Sequence, residues 1–226
     1  MITIIDYGMG NLRSVQKSFE KAGAKTQITQ SVKEIENAEV LVLPGVGAFG
    51  AAMQNLQKMG FVEPIKKHIQ SGRPFLGICL GMQVLFPYSE ENPDIEGLGI
   101  FEGSVRRFQT TLRQAQGDNS PLSNPHSEFR IPKLRVPHMG WNQLNPKKES
   151  DLLAEIAPDS YTYFVHSYYV DPEDKDIILT TTDYGVEFAS SIQKNNVIAA
   201  QFHPEKSGDA GMRMLKNYVR MTGQQA

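Results

Sequence analysis

Three short apolar runs, Ile2–Ile5, Glu39–Leu43 and Phe75–Ile78, are separated by stretches with helical spacing, and this alternation leaves few folds open. After the first run, Asn11 is placed to cap a helix whose apolar residues Leu12, Val15, Phe19 and Ala22 recur at steps of 3, 4 and 3, with Gly23 as its stop. Ser31-Val32-Lys33-Glu34 has the S-x-x-E form of a capping box that opens a short second helix. Helical spacing resumes around Ala52, Leu56 and Met59, and again near Ile65 and Ile69. Strand and helix alternating at such short intervals predict an α/β fold, with a mostly parallel sheet covered by helices on both faces.

The second half changes character. Ser104–Phe108, Tyr161–His166, Ile177–Thr181, Glu187–Ile192 and Val197–Phe202 read as further strands, and Met212, Leu215 and Val219 mark the stripe of a last helix. Between them Gln109–Arg130 is polar, carries two Pro and one Gly, and exceeds the roughly 12–15 residues of ordinary ordered loops. It is expected to be a mobile insertion. With no repeat and no linker in view, residues 1–226 are expected to form a single domain.

Composition removes several function classes. Lys and Arg number 23 against 25 Asp and Glu, a net charge of −2 without a basic run, so nucleic acid is not an expected partner. Met1–Asp6 lacks a basic n-region, and no apolar run nears the roughly 18 residues that cross a bilayer. A single cysteine, Cys79, forms no intrachain disulfide, so a cytoplasmic setting is expected. His68, His126 and His138 show no ligand spacing and no metal is expected; His68 reads as a solvated helix residue. Gly8-Met9-Gly10 lacks the third glycine of a dinucleotide loop, where Arg13 stands instead, so no NAD or FAD is expected, nor any other cofactor.

The chemistry concentrates in Gly77-Ile78-Cys79-Leu80-Gly81-Met82-Gln83. A small residue on each side of a nucleophile, where strand turns into helix, is the G-x-S-x-G elbow with sulfur in place of oxygen. A turn that sharp has no room for neighbouring Cβ atoms. A helix N-terminus favours thiolate over thiol, and the Leu80 N–H would point at the oxyanion of a tetrahedral intermediate. A buried cysteine closing a core strand would not require the two glycines. Late in the chain, Gln201-Phe202-His203-Pro204-Glu205 follows a strand and offers a base and a carboxylate that orients it, with an extended backbone through Pro204 expected to point both side chains one way. This reading allows acyl transfer from cysteine without choosing a substrate.

The elbow and His203-Pro204-Glu205 resemble the class I (triad) glutamine amidotransferases, over the whole chain except Gln109–Arg130. Asp6-Tyr7-Gly8-Met9-Gly10-Asn11-Leu12, Pro44-Gly45-Val46-Gly47-Ala48-Phe49 and Pro137-His138-Met139-Gly140-Trp141-Asn142 narrow the resemblance to the glutaminase subunits of imidazole glycerol phosphate synthase. The resemblance implies a flavodoxin-like fold with extra antiparallel strands in the second half. It implies that Cys79 attacks the glutamine side-chain amide, that His203 moves the proton and that Glu205 orients His203. Leu80 and either Val46 or Gly47 would supply the oxyanion donors; separately, the glycines on both sides of Val46 make a peptide flip cheap, which is expected to serve as a switch thrown by a partner. Gly45, Gln83, Ser167 and Tyr168 would bind glutamine. Asn11, Trp141 and Lys206 would face a (β/α)8-barrel cyclase in a heterodimer that uses the ammonia in histidine biosynthesis; Trp141 is read as lying in a Gly-Trp-Asn loop. A glutaminase serving another synthase (sugar amidation or pyridoxal phosphate), a cysteine hydrolase acting alone and a silent binding module stay open as alternatives.

Overall fold

The computed structural model describes residues 1–109, 134–157 and 159–225. In chain order the elements are β1 (Ile2–Ile5), α1 (Leu12–Lys21), β2 (Thr26–Thr29), α2 (Val32–Asn37), β3 (Val40–Gly45), α3 (Phe49–Lys58), α4 (Val62–Gln70), β4 (Phe75–Cys79) and α5 (Leu80–Gln83). There follow β5 (Tyr88–Ser89), β6 (Gly103–Arg107), β7 (His138–Gln143), β8 (Asn145–Pro146), β9 (Tyr161–His166), β10 (Tyr168–Pro172), β11 (Ile178–Asp183), β12 (Glu187–Lys194), β13 (Val197–Ala200) and α6 (Gly208–Met221).

The main sheet runs β2-β1-β3-β4-β13-β12-β10-β6-β5, with β11 and β8 paired off β12. From β2 to β13 all pairs are parallel, which is the flavodoxin-like order. Beyond β13 the sheet turns antiparallel through β12, β10 and β6, and β7 pairs β9 in a separate two-stranded sheet. Leu41 and Leu43 of β3 face a core with Phe49, Ala52, Met53 and Leu56 of α3 and Ile65 of α4. Val40 and Val42 face the opposite core, with Val15 and Phe19 of α1 and Leu215, Tyr218 and Val219 of α6. Helices therefore cover both faces, as the period-2 alternation of buried strands requires. Among the described residues no helix is long and apolar enough to cross a membrane.

Several expectations need correction. His68 is buried, not solvated: it shares the inward stripe of α4 with Ile65 and Ile69, and its Nε2 lies 2.9 Å from the Pro74 carbonyl oxygen. The inward face of α6 is Gly211, Met214, Leu215, Tyr218 and Val219, with Met212 only half-buried. Trp141 stands in β7, not in a loop, because Gly140 and Asn142 pair with Phe164 and Thr162 of β9. Only one arm of the capping box forms: Ser31 Oγ accepts from the Glu34 N–H at 3.4 Å, while the Ser31 N–H turns to Thr29 Oγ1. The Gln109–Arg130 insertion lies, apart from Gln109, outside the described residues, as does His126.

Candidate active site

β3 and β4 are parallel neighbours whose register sets Gly45 beside Cys79 at their carboxyl ends. Cys79 has φ 55° and ψ −108°, a left-handed conformation that a non-glycine residue adopts only when its surroundings impose it. The surroundings are on both sides. A Cβ on Gly81 would run into the Leu43 carbonyl, with its carbon at 3.0 Å, and one on Gly77 would meet the Gly81 carbonyl carbon at 2.8 Å. The two glycines therefore let α5 fold back onto β3 and β4. Leu80 opens α5, so its N–H is one of those a helix cannot pair within itself.

β13 runs parallel to β4 and delivers His203 to the same edge. The His203 N–H donates to the Tyr163 carbonyl at 2.9 Å, and Ser207 Oγ donates to the His203 carbonyl at 2.6 Å. Glu205 reaches the imidazole by a different route from the expected one. The chain is not extended through Pro204 but turns as a 3-10 helix over Pro204–Lys206, which brings Glu205 Oε1 to 2.8 Å from His203 Nδ1. Burial alone would lower the imidazole pKa; the pull of Cys79 on one side and of the hydrogen-bonded Glu205 carboxylate on the other outweighs it and raises the group to about 9. Nε2 is buried and has no hydrogen-bond partner among the described residues.

A cavity of about 420 Å³ opens over the thiol, walled by Val46, Gly47, Cys79, Leu80, Gln83, Glu91, Pro137, His166, Ser167 and Tyr168. Gly47 has φ 94° and Val46 is exposed, so the segment after β3 is a tight turn beside the nucleophile. Gly45 is buried behind that wall, where an added Cβ would lie 2.9 Å from Leu80 Cβ. Gln83 Nε2 donates to the Tyr168 carbonyl and to Gln201 Oε1, both at 3.0 Å, and Gln201 Nε2 lies 3.6 Å from Cys79 Sγ. The sequence assigns no role to Gln201, Glu91 or Tyr7, although Gln201 leads into His203 and Tyr7 lies in the Asp6–Leu12 segment. Tyr7, buried at the end of β1, has its hydroxyl pKa raised by burial and by the Cys79 charge. No sequence pattern links Glu91 to a site; its Oε2 accepts from the Phe49 N–H at 2.8 Å.

Away from the cavity, Trp141 is 55% exposed and meets Tyr163 edge-on at 5.9 Å, while Lys206 Nζ lies 5.9 Å from the same tyrosine ring. Trp141 and Lys206 thus share one patch. Asn11 is the exposed N-cap of α1, its Oδ1 accepting from the Ser14 N–H at 3.3 Å. Among the described residues no group of three or more His, Cys, Asp or Glu gathers as for a metal ion.

The pattern of the class-I glutamine amidotransferases matches residues 3–221. This chain belongs to the class-I glutamine amidotransferase family. It is 49% identical over 221 residues to the imidazole glycerol phosphate synthase subunit HisH of Syntrophotalea carbinolica, covering 98% of this chain and 100% of that one. The HisH subunit of Aquifex aeolicus is 47% identical, covering 96% of this chain and 95% of its own. The crystal structure of a glutamine amidotransferase superposes with a TM-score of 0.70 at 16% identity, covering 99% of this chain and all of that one. The PurLQS structure from Thermotoga maritima gives 0.67 at 13%, covering 97% of each chain, a likeness of fold.

Proposed function

We propose that this chain is the glutamine-hydrolysing subunit of an imidazole glycerol phosphate synthase, working as a single cytoplasmic domain on behalf of a (β/α)8-barrel cyclase in histidine biosynthesis. The observation that carries the reaction is that the parallel neighbours β4 and β13 bring Cys79 and the buried His203–Glu205 pair to one sheet edge, with a cavity large enough for one amino acid over the thiol. The synthase assignment rests on the near-full-length likeness to HisH subunits.

In this mechanism His203 Nε2 takes the thiol proton and the sulfur attacks the side-chain carbonyl carbon of glutamine. The oxyanion is received by the Leu80 N–H and by an amide of the Val46–Gly47 turn. His203 returns the proton to the leaving nitrogen, ammonia departs, and a γ-glutamyl thioester stays on Cys79. Water activated by the freed imidazole adds to the thioester, releasing glutamate and restoring the thiol. Glu205 holds the imidazole in one tautomer and offsets its charge. Gln83, Ser167 and Tyr168 shape the glutamine subsite, and the Glu91 carboxylate suits the substrate's α-ammonium. Ammonia in water near neutral pH is mostly ammonium, which cannot attack an electrophile. A cyclase seated over the Trp141, Lys206 and Asn11 side would receive it unprotonated.

The test is covalent trapping with a diazoketone analogue of glutamine, with and without the cyclase. One adduct per chain on Cys79, with glutamate formation abolished, is the expected result. An adduct on another residue, or full glutaminase activity in a Cys79→Ala protein, overturns the assignment.

A further inference from the structure

A continuous hydrogen-bonded path joins β7 to the thiol. Asn142 Nδ2 lies 2.9 Å from the Asp183 carbonyl oxygen and 3.3 Å from His138 Nε2, while Asn142 Oδ1 accepts from the Gln143 N–H at 2.9 Å. His138 Nδ1 and His166 Nε2 are 3.1 Å apart, and His166 Nδ1 is 2.8 Å from the Tyr168 carbonyl oxygen. That carbonyl also accepts from Gln83, which continues through Gln201 to Cys79 Sγ.

The chemistry of the two ends fixes every proton between them. Asn142 Nδ2 touches a carbonyl and must donate, so His138 Nε2 accepts and the His138 proton sits on Nδ1. From the other end, a carbonyl can only accept, so the His166 proton sits on Nδ1 and its Nε2 is an acceptor. Both ends demand the same direction with both rings neutral. A proton added to His166 would set N–H against N–H across 3.1 Å, and one added to His138 would set its Nε2–H against the Asn142 amide N–H across 3.3 Å. Both rings are buried among Phe108, Phe164 and Phe188, and burial holds them neutral. The two faces of β7 divide the work: His138 and Asn142 point inward, while Met139 and Trp141 stand outward, 63% and 55% exposed.

We propose that His138 and His166 are positioning residues for glutamine hydrolysis, a proton-ordered pair that ties the placement of β7 to the Tyr168 carbonyl in the cavity wall and onward to the thiol. The proposal rests on the glutaminase reading above. Neither ring needs to touch glutamine. The pair holds the Tyr168 peptide from behind, so its loss loosens the subsite before it touches the chemistry.

The test is steady-state glutamine hydrolysis by the full chain with its cyclase, comparing His138→Phe and Asn142→Asp with the wild type. The first keeps an aromatic ring in the aromatic cluster and removes both nitrogens. The second sits at a half-buried residue and replaces the donor that orients the pair with an acceptor. Each is expected to raise KM roughly tenfold, the scale of one lost buried hydrogen bond, with kcat within about threefold. A purely structural role would instead reduce the folded fraction, lowering kcat at unchanged KM, and that outcome overturns the proposal, as does a KM within twofold of wild type in both proteins. Absence of glutamate formation and of a Cys79 adduct in the wild type would instead sink the glutaminase reading.

Discussion

Glu205 Oε1 lies 2.8 Å from His203 Nδ1 with both side chains almost wholly out of solvent, at 2% and 3% exposure. A carboxylate so placed favours the imidazolium that forms when the thiol gives up its proton. In Glu205→Gln the amide oxygen can still accept from Nδ1–H, so the geometry survives while the charge goes. With one of the two supports opposing burial weakened, the imidazole pKa should fall from its raised value. We expect kcat for glutamine to drop by about 10²–10⁴-fold with little change in melting temperature. A kcat within tenfold of wild type, measured by glutamate release, would remove Glu205 from the mechanism.

Gly81 is a stricter test of why the elbow has its sequence. Its missing side chain leaves room for the Leu43 carbonyl of β3, backbone that cannot swing aside as a flexible side chain would. Gly81→Ala must push α5 off β3, at a cost of about 2–4 kcal/mol. For a domain of this size that corresponds to a melting temperature lower by roughly 5–15 °C in thermal unfolding. A variant that melts with the wild type would mean that the turn is loose and that the glycine answers some other need.

The parallel half of the fold was readable because its strands are buried on both faces and so appear as unbroken apolar runs: Ile2–Ile5 is β1 with the same bounds. β2 went unread because Thr26-Gln27-Ile28-Thr29 is a half-buried edge strand, with one aliphatic residue and no run to see. β7 went unread because Gly140 and the exposed Met139 and Trp141 look like a loop until β9 supplies the partner. The cysteine and His203–Glu205 were legible because short spacings encode them. Gln201 and the His138–His166 contact were not, since each depends on strands far apart in sequence meeting across the sheet. His68 misleads for a simpler reason: a histidine suggests solvent, whereas its position, three residues after Ile65 on the same helix face, puts it in the core.

On the docking face proposed above, Trp141 would separate docking from hydrolysis. Its ring projects beside Tyr163 and Lys206, with more than half its surface in solvent, so Trp141→Ala should shift the stability of the isolated chain by no more than about 0.5 kcal/mol. A buried aromatic anchor at an interface is commonly worth about 2 kcal/mol or more, so affinity for the cyclase should fall at least roughly 30-fold in calorimetric titration. Equal affinity for both proteins would place the cyclase on another face.

Stability should fall on both sides of neutrality, for opposite reasons. Burial lowers His68 and His138 to about 4 and His166 to about 3; the Arg73 charge adds to the effect at His68, and the His138 and His203 charges add to it at His166. The unfolded chain titrates its histidines near 6.5, so below that pH it binds protons that the folded chain refuses. Their contribution is therefore complete above about pH 6.5 and is lost as pH falls toward 4. His203 has the opposite sign. Raised to about 9, it keeps its proton where the unfolded state has released it, so its contribution is full below about 6.5 and lost as pH rises through 9. The lowered carboxylates Glu39, Asp174 and Glu187 act below their usual range near 4, which leaves pH 5–6.5 to the histidines. Urea unfolding across pH 5–9 should show a maximum near pH 6.5–7, with an acid limb of about one to three protons, or roughly 1.4 kcal/mol per pH unit for each. Replacing His68, a buried histidine remote from the cavity, as His68→Leu, should flatten that limb by about one proton; a limb of unchanged slope would show that His68 takes up protons in the folded state after all.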